Sequence, residues 1–450
     1  MLVIHELDLD KIFSMSEQLG ISELEVVLQK QNTLDTEAVK DKIEKTKYTV
    51  SIRLGYRVLV GRRKATYGAT ISSIEDAVKS LEEAVKIARI SPEDPYWRSI
   101  PRKLGGGAEI EIYDHETSSM DPNKSLEIVL ESISTIKEHD KRSNPIAVRL
   151  STSSLETVFA NNYGEEAYRK ETIVFYIVGA RAEDAGKEGV YYEYKVLRRL
   201  RDLDHEGLAK RAASRAIDSL YAKQIETMKT NIVFENKIWA SILTALFVPA
   251  VAADNVQEKR SPLAGKIGEQ VFAEEISIVD DPHKPWLYGS KNVDDEGIRT
   301  SAKYVVRNGV IETYLYDYYT ALRENRESTG NAYRRQPWSN PRPWPTNLIL
   351  LPGRASIDEV IEDTRRGILV AATIGEWLSN PISGQLNATI SHGYLIENGE
   401  IARPIKGMTI STQFYDALKN KLGLIAKDQE CNGNVCSPTI SLRDVVVAGK

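Results

Sequence analysis

The sequence predicts a multi-domain α+β fold, with helix-plus-sheet domains in the N-terminal half and a mainly β domain in the C-terminal half. Its 450 residues exceed what a single hydrophobic core usually organises. Strand-like alternation, capped helical stretches and Asn-Gly turn signals follow one another along the chain. We predict an α/β domain over residues 1–104, an α+β domain over 108–225 and a mainly β domain over 230–450.

One strand and one helix stand out in the first region. Apolar residues alternate with polar ones at Tyr48, Val50, Ile52 and Leu54. This period of two predicts a strand with one face on a core. Helical spacing over 74–88 follows, with Ser72 and Glu75 at capping-box spacing and Pro92 beyond its end. Residues 91–109 are rich in proline and glycine, which indicates a domain boundary.

The central region reads as helix, strands, then helix. Asp121-Pro122 is a cap followed by a first-turn proline, which predicts a helix start. The segments IAVRLS, TVFAN, TIVFYIVGARA and VYYEYKVL are rich in β-branched and aromatic residues and predict a meander of strands. A further helix is predicted after His205, with its apolar residues on one face.

The last third is predicted to be mainly β. Asn308-Gly309 and Asn398-Gly399 each lie between strand-like segments, and Asn-Gly favours a two-residue hairpin turn. Between them, DEVIEDTRRGILV predicts a helix that runs into Gly367 and then an apolar strand.

An uncharged stretch at residues 238–253, IWASILTALFVPAVAA, is the most apolar part of the chain. A membrane-spanning helix needs about 20 apolar residues. This stretch is shorter and is interrupted by Pro249, so we expect a buried helix that ends at its proline.

Charge argues against nucleic acid as a partner. The net charge is −5 and the isoelectric point is near 5.9, so no overall positive field is available to neutralise phosphates. One basic concentration occurs, which we interpret as a solvated helix face: Arg198, Arg199, Arg201, Lys210, Arg211 and Arg215. Neither a nucleic acid nor a membrane is expected as a partner.

Two cysteines, Cys431 and Cys436, lie near the end of the sequence. No second cysteine pair or nearby histidine accompanies them, so they are weak evidence for zinc. We expect two free thiols or an occasional disulfide in a C-terminal turn. With so few cysteines and no export-signal pattern in the sequence, the expected compartment is the cytoplasm.

Histidines and carboxylates offer no convincing catalytic set. His5, His115 and His205 are each followed by Glu, but none has the second histidine one helical turn on that a zinc peptidase helix requires. His205 fits better as a surface or capping residue. No nucleophile elbow or phosphate-binding loop occurs, and the glycines at 105–107 lack the lysine and helix of such a loop.

Two acidic clusters remain. They are Asp280 and Asp281, and Asp294, Asp295 and Glu296. Such groups can hold a cation or share a proton, but carboxylates in turns beside Pro282 and Gly297 are commoner. From the residues alone we therefore assign no catalytic and no metal-binding residue, and the substrate-binding residues stay unknown.

A series of motifs resembles the TldD/PmbA family. They are SPLAGKIGEQV (261–271), VDDP (279–282), DDEGIRT (294–300), NGVIETYLYD (308–317), ESTGNAYR (327–334), PWPTNLILLPG (343–353), GYLIENGE (393–400) and SPTISLRDVVVAG (437–449). GYRVLVGRRKATYGAT (55–70) agrees in the first third, so the likeness covers nearly the whole chain. The resemblance implies that members of this family are subunits of a cytoplasmic zinc-dependent peptidase. In it a TldD-type chain carries the metal, and a PmbA (TldE) type chain pairs with that chain.

The resemblance also implies a difference from the metal-binding members. In TldD-type chains a helix carrying His-Glu-x-x-x-His follows the segment that resembles TNIVFENKIWASIL, and a C-terminal cysteine completes the zinc site. Here that position falls near residues 243–249 and holds TALFVP after Leu243. Cys436 resembles a cysteine of PmbA-type chains, yet one thiolate cannot form a zinc site.

The resemblance therefore implies a PmbA/TldE-like, non-metal subunit of a peptidase complex that processes small unfolded peptides. The implied partner is a TldD-type subunit, or a second copy of the chain, and zinc is expected in the TldD-type partner. Two alternatives stay open. One is a self-sufficient metal-dependent peptidase using scattered groups such as His205, Cys436 or the acidic pairs. The other is a regulatory protein-binding factor, since the family was also named for modulating DNA gyrase.

Overall fold

A computed structural model of the chain describes residues 9–450. Its N-terminal half is built on one antiparallel sheet in the order β3-β2-β1-β4-β5-β6. The strands are β1 (Glu23–Val39), β2 (Lys42–Val60), β3 (Arg63–Ile71), β4 (Ser143–Asn161), β5 (Glu166–Asp184) and β6 (Lys187–Leu197). Because β1 pairs with β4, residues of the predicted first and second domains share this sheet. The domain division itself stays a prediction.

Helices cover one face of this sheet. They are α1 (Leu9–Gln18), α2 (Ile74–Ile90), the short α3 (His115–Ser118), α4 (Pro122–His139) and α5 (His205–Leu220), and a 3₁₀ turn (Leu200–Asp202) precedes α5. One core forms where α1 and α2 meet the first strands, and a second forms where α4 and α5 meet the later ones. Alternate strand residues such as Val26 and Leu28 enter the first core.

The predicted helix starts are close to those observed. Asp121 caps α4 by accepting from the amide of Asn123 at 2.7 Å, as predicted. The capping box of α2 lies one residue later than predicted, since Ser73 and Asp76 bond each other's backbone amides in place of Ser72 and Glu75. The sequence has capping-box spacing at both pairs, Ser72/Glu75 and Ser73/Asp76, and the residue at which α2 begins decides which pair forms the box.

Strand predictions are right in type and wrong in extent. IAVRLS and TVFAN belong to the single strand β4, because the turn residues between them continue the ladder with β1 and β5. In β2 the predicted core face holds only at its C-terminal end: Ile52 and Leu54 are buried, whereas Tyr48 is 62% exposed. Tyr48 lies in the part of β2 that pairs with β1 and extends beyond its pairing with β3.

The C-terminal half contains fifteen strands in the described chain, so it is mainly β as predicted. They are β7 (Met228–Phe234), β8 (Ile278–Asp280), β9 (Lys303–Arg307), β10 (Val310–Ile311), β11 (Ala332–Tyr333), β12 (Arg342–Pro343), β13 (Leu348–Leu350), β14 (Gly367–Ile374), β15 (Gln385–Glu397), β16 (Glu400–Ile405), β17 (Met408–Gln413), β18 (Leu422–Ile425), β19 (Glu430–Asn432), β20 (Val435–Ser437) and β21 (Ile440–Ala448). The observed fold class is the predicted multi-domain α+β fold.

Five of these strands close into a barrel. β14 pairs with β7 in parallel, and the pairings β7–β21, β21–β17, β17–β15 and β15–β14 are antiparallel, which returns the sheet to its first strand. A second sheet has the order β10-β9-β8-β13-β20-β19. Both predicted Asn-Gly hairpins form, β9–β10 and β15–β16, with positive φ at Asn and Gly as such turns require.

Helices of the C-terminal half are short. They are α6 (Asn236–Ile242), α7 (Val248–Val251), α8 (Ala253–Gln257), α9 (Tyr318–Arg323), α10 (Ile357–Thr364) and α11 (Phe414–Asn420), with a 3₁₀ turn at Glu376–Leu378. The predicted helix in DEVIEDTRRGILV is α10, which is followed by β14 as expected.

The apolar stretch at 238–253 lies in the largest hydrophobic core. Trp239, Leu243, Leu246 and Phe247 are all at most 1% exposed and pack among residues of the barrel and the second sheet. The prediction that Pro249 ends the helix is wrong. A π-helical turn, Leu243–Phe247, precedes the proline and the chain continues into α7, because proline's missing N–H is tolerated in a first helical turn. No helix in residues 9–450 is long and apolar enough to cross a membrane.

Candidate functional site

A cavity of about 1040 Å³ lies where the N-terminal sheet meets the barrel. Its walls come from β6, α5, the first turns of α6, the end of β14, and the segment that leads into β19. The lining residues include Tyr191, Tyr192, Glu193, Tyr194, Lys195, Arg211, Arg215, Glu235, Lys237, Ser241, Glu376, His392 and Glu430. No continuous segment of sequence contains this set, so the fold alone assembles it.

One wall of the cavity is a strand edge. Six consecutive residues of β6, 190–195, line the cavity, although alternate side chains of a strand point to opposite faces. The cavity therefore runs along the edge of β6 and not over one face. Within residues 9–450 this strand pairs with β5 alone, so its outer backbone groups have no ladder partner. β19, at the end of its own sheet, borders the same space.

Ion pairs join the three elements around this edge. Lys237 Nζ of α6 lies 2.7 Å from Glu193 Oε2 of β6 and 3.3 Å from Glu430 Oε1 of β19. Lys195 also pairs with Glu430, and Arg211 Nε lies 3.6 Å from Glu193 Oε1. The two lysines hold the pKa of Glu430 below its usual range against the effect of burial. The network fixes the start of α6 against both strands.

A second polar group lies deeper in the cavity. Arg215 Nη2 donates to Glu235 Oε1 at 2.6 Å, and its guanidinium lies over the ring of Tyr191. Burial raises the pKa of Glu235, with Arg215 opposing the rise. Burial, assisted by the charge of Arg215, lowers the pKa of His392 to about 4. His392 is therefore neutral near pH 7.

One nitrogen atom of this group has no partner. Arg215 Nη1 is buried and makes no hydrogen bond to any described residue, whereas the ring of His392 interacts with the backbone of Val190. A buried polar atom without a partner costs free energy, so Arg215 Nη1 is available to a bound ligand. Ser241 does not add a nucleophile activated by histidine, because its Oγ donates to Glu376 Oε1 at 3.0 Å.

Comparison with known proteins gives the chain a family. Residues 227–449 match the family model described as "PmbA/TldA metallopeptidase C-terminal domain", and residues 115–220 match the one described as "PmbA/TldA metallopeptidase central domain". The chain belongs to the PmbA/TldD family. The two matched segments contain every element that lines the cavity.

Relatives and a solved structure agree with the family. An uncharacterized protein of Methanocaldococcus jannaschii is 35% identical over 247 residues, which are 54% of this chain and 56% of that protein. A metalloprotease PmbA homolog of Haemophilus influenzae is 26% identical over 94% of this chain and 92% of its own length. The crystal structure of TldE from Thermococcus kodakarensis superposes with a TM-score of 0.89 at 22% identity, covering 98% of this chain and all of that one. It shows that the folds are alike.

The position that the family resemblance gives to the metal-binding helix does not fit zinc in this chain. Leu243, Leu246, Phe247 and Val248 are buried in the core, and Thr244 Oγ1 donates to the carbonyl oxygen of Ala240 at 2.8 Å. None of these side chains offers a zinc ligand. In residues 9–450 no group of three or more His, Cys, Asp or Glu side chains is arranged to hold a metal ion.

The cysteines form a disulfide between Cys431 of β19 and Cys436 of β20. Of the two expectations, free thiols or a disulfide in a C-terminal turn, the second is observed. The bond closes the hairpin that borders the cavity. Cys436 is therefore bonded to sulfur and offers no thiolate to a metal.

Two of the three His-Glu pairs lie in the described residues, and the histidine of neither pair lines the cavity. His115 begins α3, and His205 begins α5, where its Nε2 lies 2.8 Å from Glu131 Oε2. The interpretation of His205 as a residue of a helix start agrees with this position. His5 lies outside the described residues.

The residues of the acidic clusters are buried except Asp281, which is partly exposed, and each carboxylate has protein partners. Asp294 accepts from the amides of Glu296 and Ile298 and so closes the turn, as expected. Burial and the neighbouring Glu296 raise the pKa of Asp294 above its usual range. Asp280 accepts from Lys303 at 3.0 Å, and Asp295 accepts from Arg169 at 2.8 Å. These ion pairs were not predicted.

The basic concentration is not a uniform solvated face. Arg211 is half exposed, but Arg198 is 2% exposed and bonds Glu171, and Arg215 points into the cavity. Arg198 and Arg215 are covered because of how the chain after β6 and the helix α5 pack against other elements. The local sequence does not specify this packing. His392 and Glu235 were missed for the same reason. One usable signal was the step from charged to uncharged residues after Lys237, in the first turn of α6.

Proposed function

We propose that the chain is the PmbA/TldE-like, non-metal subunit of a TldD/PmbA metallopeptidase complex that degrades or processes small unfolded peptides. The observation that carries the proposal is the unpaired edge of β6 along the cavity beside α6. The family description of both matched domains is a metallopeptidase, which supports a peptide as the ligand.

A free strand edge suits a peptide because it offers a ladder of backbone donors and acceptors. An extended peptide that adds to β6 is held through its main chain, and its side chains point alternately to the two sides. Recognition through the main chain selects unfolded segments and tolerates many sequences. Exposed rings of Tyr192 and Tyr194, 45% and 38% exposed, give apolar contacts at this edge.

The non-metal assignment rests on side chains. Residues 243–248 are apolar apart from Thr244, and Cys436 is in a disulfide. In the proposed complex a TldD-type partner supplies zinc and the hydrolytic chemistry. This chain supplies a wall of the peptide channel and the strand edge. The proposal includes a dimer, with a TldD-type chain or a second copy, and a cytoplasmic location.

Cleavage by reconstituted proteins tests the assignment. The chain alone and the chain mixed with a TldD-type partner are assayed on unfolded peptides, with and without a chelator, and the mass and metal content of the native complex are measured. We expect chelator-sensitive cleavage only with the partner, and zinc only in complexes that contain it. Chelator-sensitive cleavage by this chain alone would favour the self-sufficient enzyme, and stoichiometric recovery of gyrase would favour the regulatory factor.

Backbone recognition has its own test. A fluorescent unfolded peptide is titrated with the isolated chain, and a second peptide of the same sequence carries an N-methyl group on every residue, so that neither of its edges can donate. Methylation removes amide donors while the side chains stay the same. We expect anisotropy to show binding of the first peptide and loss of binding of the second. Equal affinities would exclude edge pairing at β6.

A further inference from the structure

A second cavity, of about 360 Å³, lies on the opposite face of the six-stranded sheet from the helices. Alternate residues of four strands form its floor, including Gln29 of β1, Arg53 of β2, Thr157 of β4 and Arg169 of β5. Loops of the C-terminal half, within 288–295 and 333–346, form its roof. It is separate from the cavity beside α6, and the two share no lining residue.

The lining of this cavity is strongly basic. Seven of its side chains are arginine or lysine and two, Glu171 and Asp295, are acidic, an excess of five positive charges. The whole chain has a net charge of −5. The fold therefore concentrates positive charge here against the balance of the molecule. A concave site lined by one sign of charge focuses its field and attracts ions of the opposite sign.

Four of the cations are neutralised by the protein. Arg169 Nη2 lies 2.8 Å from Asp295 Oδ1, and Arg198 Nη1 lies 2.5 Å from Glu171 Oε2. The others are Lys291, 3.5 Å from Asp295, and Arg334, which pairs with the buried Glu25. These contacts use both acidic side chains of the cavity.

The other three cations, Arg53, Arg335 and Arg342, have no carboxylate partner in residues 9–450. Arg335 and Arg342 are exposed at the opening, and Arg53 is half-buried in the floor. The guanidinium of Arg342 lies 4.8 Å from the ring centre of Trp344, which holds it at the rim. Guanidinium groups bind phosphate and carboxylate through paired hydrogen bonds.

We propose that this cavity is a binding site for a small ligand that carries two or more closely spaced oxyanion groups, phosphates or carboxylates. Arg53, Arg335 and Arg342 contact the oxyanions. Tyr288 and Tyr333 also line the site, and their hydroxyl groups have no hydrogen-bond partner among the described residues, so both are free to donate to the ligand. This site goes beyond the proposed peptide edge and does not depend on it.

Calorimetric titration of the full chain tests the site with two probes, inorganic pyrophosphate and the peptide Glu-Glu-Glu, at low ionic strength. We expect saturable one-site binding that weakens with added salt. Tighter binding of pyrophosphate identifies a phosphate ligand, and tighter binding of the peptide identifies a carboxylate ligand. Either result supports the proposal. Absence of saturable binding by both probes overturns it.

Variants locate the binding. The double variant Arg335→Gln/Arg342→Gln removes two charges from exposed positions, and we expect affinity for the tighter probe to fall roughly tenfold or more. If the double variant fails to fold, the single variant Arg53→Gln, at a residue in the floor of the cavity, gives an independent measurement of the affinity. Arg354→Gln is the matched control, because Arg354 is exposed and lies outside the lining. Unchanged affinity in the double variant, or an equal loss in the control, overturns the assignment.

Discussion

Replacing Glu25 by glutamine should strongly destabilise the junction between the N-terminal sheet and the C-terminal half. The carboxylate of Glu25 in β1 accepts from Arg57 of β2 and from Arg334 of the C-terminal half. All three side chains are at most 4% exposed. The substitution keeps the shape of the side chain and removes the charge that neutralises two buried guanidinium groups.

The loss of stability depends on the hydrogen bonds and ion pairs that each arginine retains after the substitution. Arg57 retains Glu296 at 2.8 Å, and Arg334 retains the carbonyl oxygens of Ser339 at 2.7 Å and Asp295 at 2.9 Å. Breaking a buried ion pair by removing one partner costs about 3–5 kcal/mol. Because both guanidinium groups stay partly bonded, we expect the lower end, about 3 kcal/mol.

Urea unfolding, followed by tryptophan fluorescence, measures this loss as a lower free energy of unfolding in the first unfolding transition. Glu274→Gln is the control, since Glu274 is exposed and its loss should cost under about 0.5 kcal/mol. The double variant Glu25→Gln/Arg334→Met should cost less than the sum of its parts, because the two residues interact. A loss below about 1 kcal/mol in Glu25→Gln would refute the reasoning.

Three further predictions concern His392, the disulfide and the buried helix. Because the pKa of His392 is about 4 when folded and about 6.5 when unfolded, the unfolded chain binds more protons between these values. Stability should therefore fall by up to about 3 kcal/mol as pH drops from 7 to 4, and His392→Phe should remove this part of the slope in urea unfolding. Reduction of the Cys431–Cys436 bond opens the short loop that it closes in the unfolded chain, and should lower the free energy of unfolding by about 2 kcal/mol. A Cys431→Ser/Cys436→Ser variant should not respond to reductant. Leu246→Ala should cost about 2–5 kcal/mol in the same assay through the cavity it leaves, and a cost below about 1 kcal/mol would contradict burial at that position.

Local signals in the sequence predicted local structure well. The cap at Asp121, the Asn-Gly turns and the helix before Gly367 are each decided within a few residues, so they could be predicted without tertiary context. The same signals predicted the fold class, and the motifs added the resemblance to a family. The π-helical turn before Pro249 was missed, because proline ends a helix in most contexts and only packing in this core favours its continuation.

Neither cavity could be predicted from the sequence. The barrel closes through the parallel pairing of β7 with β14, strands separated by most of the C-terminal half, and this closure brings His392 towards Arg215. The direction of Arg198, which directly follows β6, and of Arg215 in α5 depends on how these elements pack against the rest of the fold. Such placements arise from long-range contacts, which composition and periodicity do not specify.

The pairing of β1 with β4 has a consequence for synthesis of the chain. In the β1–β4 register, Glu25 lies opposite Asn161 and Val39 lies opposite Ala147. The first three strands therefore emerge from the ribosome long before β4 has been synthesised. At about 5–20 residues per second, the growing chain carries an open edge for roughly 5–25 s. Charged residues along β1, among them Lys30, Asp35 and Glu37, oppose association of that edge with other nascent chains. Fragments that stop before β4 will keep the edge open permanently and should aggregate on expression.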